Sequence, residues 1–97
     1  MAHDLSSIAL LDAFPNPFNS STCLRFEIPN DGSVSLNIYD LKGIEIAKLI
    51  QENKMAGRYT VLWNSVDNQG DPIPAGVYIA KVKAGNHFQI VKLLYLE

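Results

Sequence analysis

The chain has a single cysteine, Cys23, so it can form no internal disulfide, and a small domain without that staple must be held by its core. Cys23 reads as a small half-buried strand residue, with a reactive or intermolecular thiol as the alternative. Histidine is scarce too, at His3 and His87 only. Neither stands in a His-Glu-x-x-His pattern, no Gly-x-Ser-x-Gly elbow occurs, and zinc would need cysteine partners that are missing. With no nucleophile beside a base, the chain offers no catalytic residues and is read as not an enzyme, with no metal and no cofactor. Charge is sparse. Only 19% of residues are Asp, Glu, Lys or Arg and the net charge is −2, so nothing here asks for nucleic acid or an anionic membrane, since phosphate binding needs clustered Lys and Arg. Apolar runs are broken every few residues, so no membrane-spanning helix and no membrane insertion are expected. Met1-Ala2-His3-Asp4 is not a basic segment leading into an apolar one, so no signal peptide is expected there. In a piece cut from a larger protein, any targeting signal would lie upstream.

What the chain does have is alternation. Its apolar fraction of 47% over 97 residues suits one globular domain. In the last third, Gly76 to Ala84 places Tyr78, Ala80 and Val82 on one side and Ile79, Lys81 and Lys83 on the other. That period of two is the mark of a half-buried strand. Gly85-Asn86 permits the positive φ of a tight hairpin, and His87 to Glu97 forms a nearly apolar second arm. A terminal arm frays unless pairing and burial hold it, so it is either a pinned structural strand or one that another protein reads.

Earlier segments follow the same rule. Ile8 to Leu11 is a candidate first edge strand. Phe14-Pro15-Asn16-Pro17-Phe18-Asn19 loses two amide donors and has two fixed φ angles, so it is a rigid corner. Phe14 and Phe18 are expected to pin it to the core, and Asn16 and Asn19 to bond nearby backbone. Thr22 to Ile28 points Leu24, Phe26 and Ile28 inward. Pro29-Asn30-Asp31-Gly32 is a strong turn signal, and Ser33 to Tyr39 points Val34, Leu36 and Ile38 inward. These two arms read as a hairpin. After the turn Asp40-Leu41-Lys42-Gly43, Ile44 to Ile50 reads as a strand, with a helix over Ile44 to Glu52 as the alternative. Gln51 to Gly57 reads as a polar loop. Arg58 to Asn64 reads as a strand with Tyr59, Val61 and Trp63 on one face, followed by a turn-rich loop from Ser65 to Ala75. About seven short strands, with turn signals about every eight to twelve residues and no strong helix, predict an all-β, antiparallel two-sheet sandwich.

Two stretches invite a functional reading. Asp67-Asn68-Gln69-Gly70-Asp71 gathers oxygen ligands but lacks the spacing and the bidentate glutamate of a calcium loop. A plain Asx-rich turn is the first reading and a weak cation site the second. Lys81, Lys83 and Lys92 stand in a segment with no carboxylate between Pro72 and Leu96. They either protect a sheet edge or make the terminal hairpin a docking element, read by strand addition or by an acidic groove.

Several motifs recur together in a known family. Phe14-Pro15-Asn16-Pro17-Phe18-Asn19, Leu24 to Pro29, Val34 to Gly43, Ala56-Gly57 leading to Trp63, Asp67 to Gly70, Ala75-Gly76-Val77-Tyr78 and a terminal strand with Lys92 occur in order. This resembles the C-terminal sorting domain of the type IX (Por) secretion system. The related Ig-like module of flagellar hook-capping proteins shares much of the pattern. Ser20 stands where the sorting family often has a second proline, and Asn64-Ser65 where Asp-Gly is common. The resemblance implies an Ig-like sandwich over residues 13–97, with residues 1–12 as linker or appended sequence carrying a possible edge strand and the cleavage region. It implies a non-catalytic secretion signal that takes an upstream cargo from the periplasm to the outer-membrane translocon. A sortase-like peptidase then removes the domain, and the cargo is secreted or held at the cell surface. It assigns translocon recognition to Gly76, Val77, Tyr78, Lys92, Leu93, Leu94, Tyr95 and Leu96. Pro15, Asn16, Pro17, Trp63 and Gly70 fall in its structural motif.

Two other classes compete. A carbohydrate-binding module would display Tyr39, Tyr59 and Tyr95 on an exposed face. A structural Ig-like spacer would need no exposed site, and the sequence upstream of Met1 would discriminate it. A long exposed edge would also permit strand-paired dimers.

Overall fold

A computed structural model describes residues 9–97, with side chains from residue 11 onward. Of the expected linker and cleavage region, the part from Met1 to Ile8 lies outside the described residues, while residues 9–12 are described and lie in the first strand. Seven strands follow one another: β1 (Ala9–Phe14), β2 (Thr22–Ile28), β3 (Gly32–Asp40), β4 (Glu45–Lys54), β5 (Gly57–Trp63), β6 (Gly76–Ala84) and β7 (His87–Tyr95). They pair antiparallel in two sheets, β1-β2-β5 and β4-β3-β6-β7. This is the expected all-β sandwich. Compared with a constant-type immunoglobulin arrangement of four and three strands, the fourth strand has moved to the sheet of the third.

Alternation fills the space between the sheets. Leu24, Phe26 and Ile28 from β2, Val34, Leu36 and Ile38 from β3, and Tyr78, Ala80 and Val82 from β6 are all buried, with Trp63 and Leu93 completing the layer. The side chains that alternate with them on β2, β3 and β6 are half-buried or exposed. Packing of the two inner faces therefore follows directly from period-two patterning.

Four expectations are corrected. The arms joined by Pro29 to Gly32 are not a hairpin: β2 pairs with β1 and β5, while β3 pairs with β4 and β6, so this turn carries the chain between sheets. Both arms bury one face, and a sandwich offers each a place in a different layer. Gln51 to Lys54 is not loop but the end of β4, paired with Gly32 to Ser35. Its polar side chains belong to an edge strand, where water can reach them. Phe14 does not pin the corner, being 69% exposed, whereas Phe18 is buried. Asn16 bonds not to nearby backbone but across the molecule, as described below.

Residues Ile44 to Ile50 are strand, and the helical alternative has a structural explanation. Register shifts between Leu36 and Asn37 and between Ile38 and Tyr39 leave Leu49 and Ile46 as extra residues on β4. These bulges turn Ala47 and Ile50 to the core together, three residues apart. A bulged strand thus imitates the spacing of a helix face. In the two-residue turn of the last hairpin Gly85 has positive φ, at 61°, and Asn86 does not, which suits a type II′ turn.

Candidate recognition surface

Trp63 closes one end of the sandwich. Its ring meets Phe18 at 6.0 Å and Tyr78 at 6.1 Å between centroids, and Tyr95 stacks on Phe18 at 5.3 Å. The indole Nε1 donates to the Val66 carbonyl at 3.0 Å, so a large buried ring keeps its one polar group satisfied. The Tyr78 hydroxyl donates to the Pro74 carbonyl at 2.5 Å. Burial raises the Tyr78 pKa above its ordinary value, and the charges of Asp40 and Tyr95 add to the shift.

The proline corner is tied to this end. Both Phe14-Pro15 and Asn16-Pro17 are cis. The corner leaves the three-stranded sheet after β1 and reaches the edge of the other sheet. There the Phe18 amide donates to the Leu94 carbonyl at 3.0 Å, and the Leu96 amide donates to the Phe18 carbonyl at 2.7 Å. Asn16 adds its carboxamide: Nδ2 donates to the Lys92 carbonyl at 2.7 Å, and Oδ1 accepts from the Leu94 amide at 3.0 Å. Thr22 Oγ1 donates to the Pro15 carbonyl at 2.7 Å, which ties the corner to β2. A free edge at the end of β7 is thereby covered.

The residues assigned to recognition fall in this region but play different parts. Gly76 pairs with Tyr95, Val77 with Leu94 and Tyr78 with Leu93. Tyr78 and Leu93 face the core, at 6% and 0% exposure. Lys92 and Leu96 are exposed, while Val77, Leu94 and Tyr95 are half-buried. Pro15, Asn16, Pro17 and Trp63 build the same end. Gly70 does not join them. It sits in the turn after Asp67, with φ at 84°.

That turn covers the opposite edge of the four-stranded sheet. Asn68 Oδ1 accepts from the Lys48 amide at 2.8 Å, and the Asn68 amide donates to the Ile46 carbonyl at 3.1 Å. Asp67 Oδ1 accepts from the amides of Gln69 and Asp71, both at 2.9 Å. The carboxylate proposed for a cation is thus engaged as an Asx turn. The three tyrosines of the carbohydrate reading do not share a face. Tyr59 of the three-stranded sheet stacks on Phe26 and Tyr95 of the four-stranded sheet on Phe18, both toward the interior, whereas Tyr39 is bonded by Asn37 on the outer face of the four-stranded sheet.

Sequence reasoning missed one contact altogether. Ser65, buried and at φ 62°, donates its hydroxyl to the Ser20 carbonyl at 2.9 Å. These are two of the positions where the chain departs from the sorting pattern. No local signal joins residues 45 apart.

Comparison with known proteins agrees with the architecture. No curated relative matches the sequence significantly. Among solved structures the chain is similar to FLGD from P. aeruginosa, with a TM-score of 0.63 and 21% identity over 96% of this chain and 74% of that one. It is also similar to PorZ of Porphyromonas gingivalis, described as an essential surface component of the type-IX secretion system. There the TM-score is 0.59 and the identity 17%, over 90% of this chain but only 11% of that one. At such identities the likeness is one of fold. The model of the FlgD Ig-like domain matches residues 18–87, well over half of the sequence, and the chain belongs to that family.

Proposed function

We propose that this FlgD-type Ig-like module is a non-catalytic C-terminal sorting domain. It would direct an upstream cargo through the periplasm to the type IX outer-membrane translocon, where a sortase-like peptidase removes it and the cargo is secreted or anchored at the surface. The observation that carries this reading is the bonding of Asn16 to Lys92 and Leu94. It joins the Pro-Asn-Pro corner and the terminal strand, the two most specific parts of the sorting resemblance, around an exposed lysine. The fold is also one that PorZ, a surface component of that system, contains.

A second reading is favoured by the family itself. FLGD from P. aeruginosa shares the fold over nearly the whole chain, and a structural spacer would have the same sandwich without any partner at its end. An export assay in a type IX-competent host separates the two. A reporter fused ahead of this domain should reach the medium or surface, and Lys92→Glu should retain it in the periplasm with the domain still folded. Export unaffected by Lys92→Glu, or no export of the fusion, overturns the sorting reading.

A further inference from the structure

Among the described residues, β1 approaches β7, and the hydrogen-bonded cover of the β7 edge is confined to the half of the strand next to the corner. Leu94 directs both its amide and its carbonyl to the corner. In an antiparallel strand these groups point to alternate sides, residue by residue. Lys92, Ile90 and Phe88 therefore direct theirs to the same outer side, in an unbroken register with Ile79, Lys81 and Lys83 of β6. The cap ends at the Lys92 carbonyl. Beyond it, β7 is the last strand of its sheet, and among the described residues nothing is hydrogen-bonded to the outward main-chain groups of Phe88 and Ile90.

The side chains beside this open stretch are apolar and cationic. Phe88 and Ile90 are 56% and 55% exposed. Lys81 Nζ lies 4.6 Å from the centre of the Phe88 ring, which holds the ammonium over the strand. Lys83 pairs with Phe88, and Lys92 stands two residues past Ile90. No carboxylate occurs in β6 or β7. Glu45 lies on β4, at the opposite edge of the sheet. A second copy of the chain would bring the same lysines against one another, which like-charge repulsion disfavours.

We propose that the Phe88–Ile90 edge receives a short acidic extended segment of a partner protein, added as a fifth strand beside β7. Main-chain bonds to Phe88 and Ile90 hold the segment, and its carboxylates meet Lys81, Lys83 and Lys92. The cap at Lys92 limits the paired stretch to roughly five residues, since each edge residue that faces outward serves two of the partner's. The inference rests on the sorting reading and gives its partner a chemistry. It also moves the contact from the extreme terminus to the first half of the last strand.

The test uses the 97-residue chain and two synthetic peptides, one alternating Val and Glu, the other alternating Val and Lys. Amide exchange and chemical shifts are followed by NMR. The Val/Glu peptide should bind, slow exchange at Phe88 and Ile90, and weaken as salt rises, because exposed charges are screened. Ile90→Pro removes an outward donor at an edge that tolerates proline, and should weaken binding by about tenfold or more. Lys81→Glu with Lys83→Glu should exchange the preference between the peptides. Both variants are checked for folding by Trp63 fluorescence. Equal binding of both peptides, no binding, binding indifferent to Ile90→Pro, or self-association protecting the same amides without peptide overturns the proposal. No secretion machinery is present in this assay, so its failure is distinct from failure of the export assay.

Discussion

Asn16 and Leu94 lie 78 residues apart in sequence and are joined by a 3.0 Å hydrogen bond from the Leu94 amide to the Asn16 carboxamide oxygen. The other end of that carboxamide donates to Lys92. One small side chain thus substitutes for a neighbouring strand. It can do so because an amide has a donor and an acceptor side by side, as a peptide group has.

Asn16→Ala should lower the unfolding free energy by about 1–2 kcal/mol, the usual range for two hydrogen bonds at a water-accessible edge. Urea denaturation measures it. Exchange at the Leu94 amide should rise in the same variant, while exchange at the central strand β3 changes only with the global stability.

Removal of Lys92 to Glu97 should unfold the domain. Leu93 is wholly buried and its loss alone costs about 2–5 kcal/mol, against a total of roughly 5–15 kcal/mol for a small domain. Lys92→Glu, on an exposed side chain, should stay within about 0.5 kcal/mol of the parent. Thermal melts followed by circular dichroism compare the two, and a cooperative melt of the truncated chain would contradict this account of β7.

Ser65 combines a left-handed φ of 62° with a buried bond to Ser20. Ser65→Ala loses the bond and keeps the unfavourable backbone, and should cost about 1 kcal/mol. Ser65→Gly loses the same bond but removes the Cβ, so it should be the more stable of the two variants. Paired urea titrations read the difference. Equal stability would mean that the backbone at this position carries no penalty.

Tyr78 should make the domain sensitive to alkali. Its folded-state pKa is raised above the ordinary 10.0, chiefly by burial, so the folded state holds the phenol proton more tightly than the unfolded one. The stability it supplies is complete below pH 10.0 and is lost as pH rises through the higher folded value. Tyr78→Phe should be somewhat less stable at neutral pH, because the Pro74 carbonyl loses its donor, yet decline less above pH 10. Unfolding followed at a series of pH values tests the crossing.

The sequence alone determined most of the strands and the inward faces of β2, β3 and β6. Alternation is a local property: Leu24, Phe26 and Ile28, or Tyr78, Ala80 and Val82, declare a buried side whatever lies opposite. The proline corner and the Gly85 turn were legible for the same reason, since fixed φ and permitted positive φ are properties of single residues. Tertiary structure decided which strands are neighbours. The turn at Pro29 to Gly32 would serve a hairpin or a crossing between sheets equally well, and only the partners on either side select the crossing. The bulges of β4, the reach of Asn16 to Leu94 and the meeting of Ser65 with Ser20 depend on residues distant in the chain. No local pattern encodes such contacts, because a hydrogen bond across a sandwich depends on where two backbones come to lie.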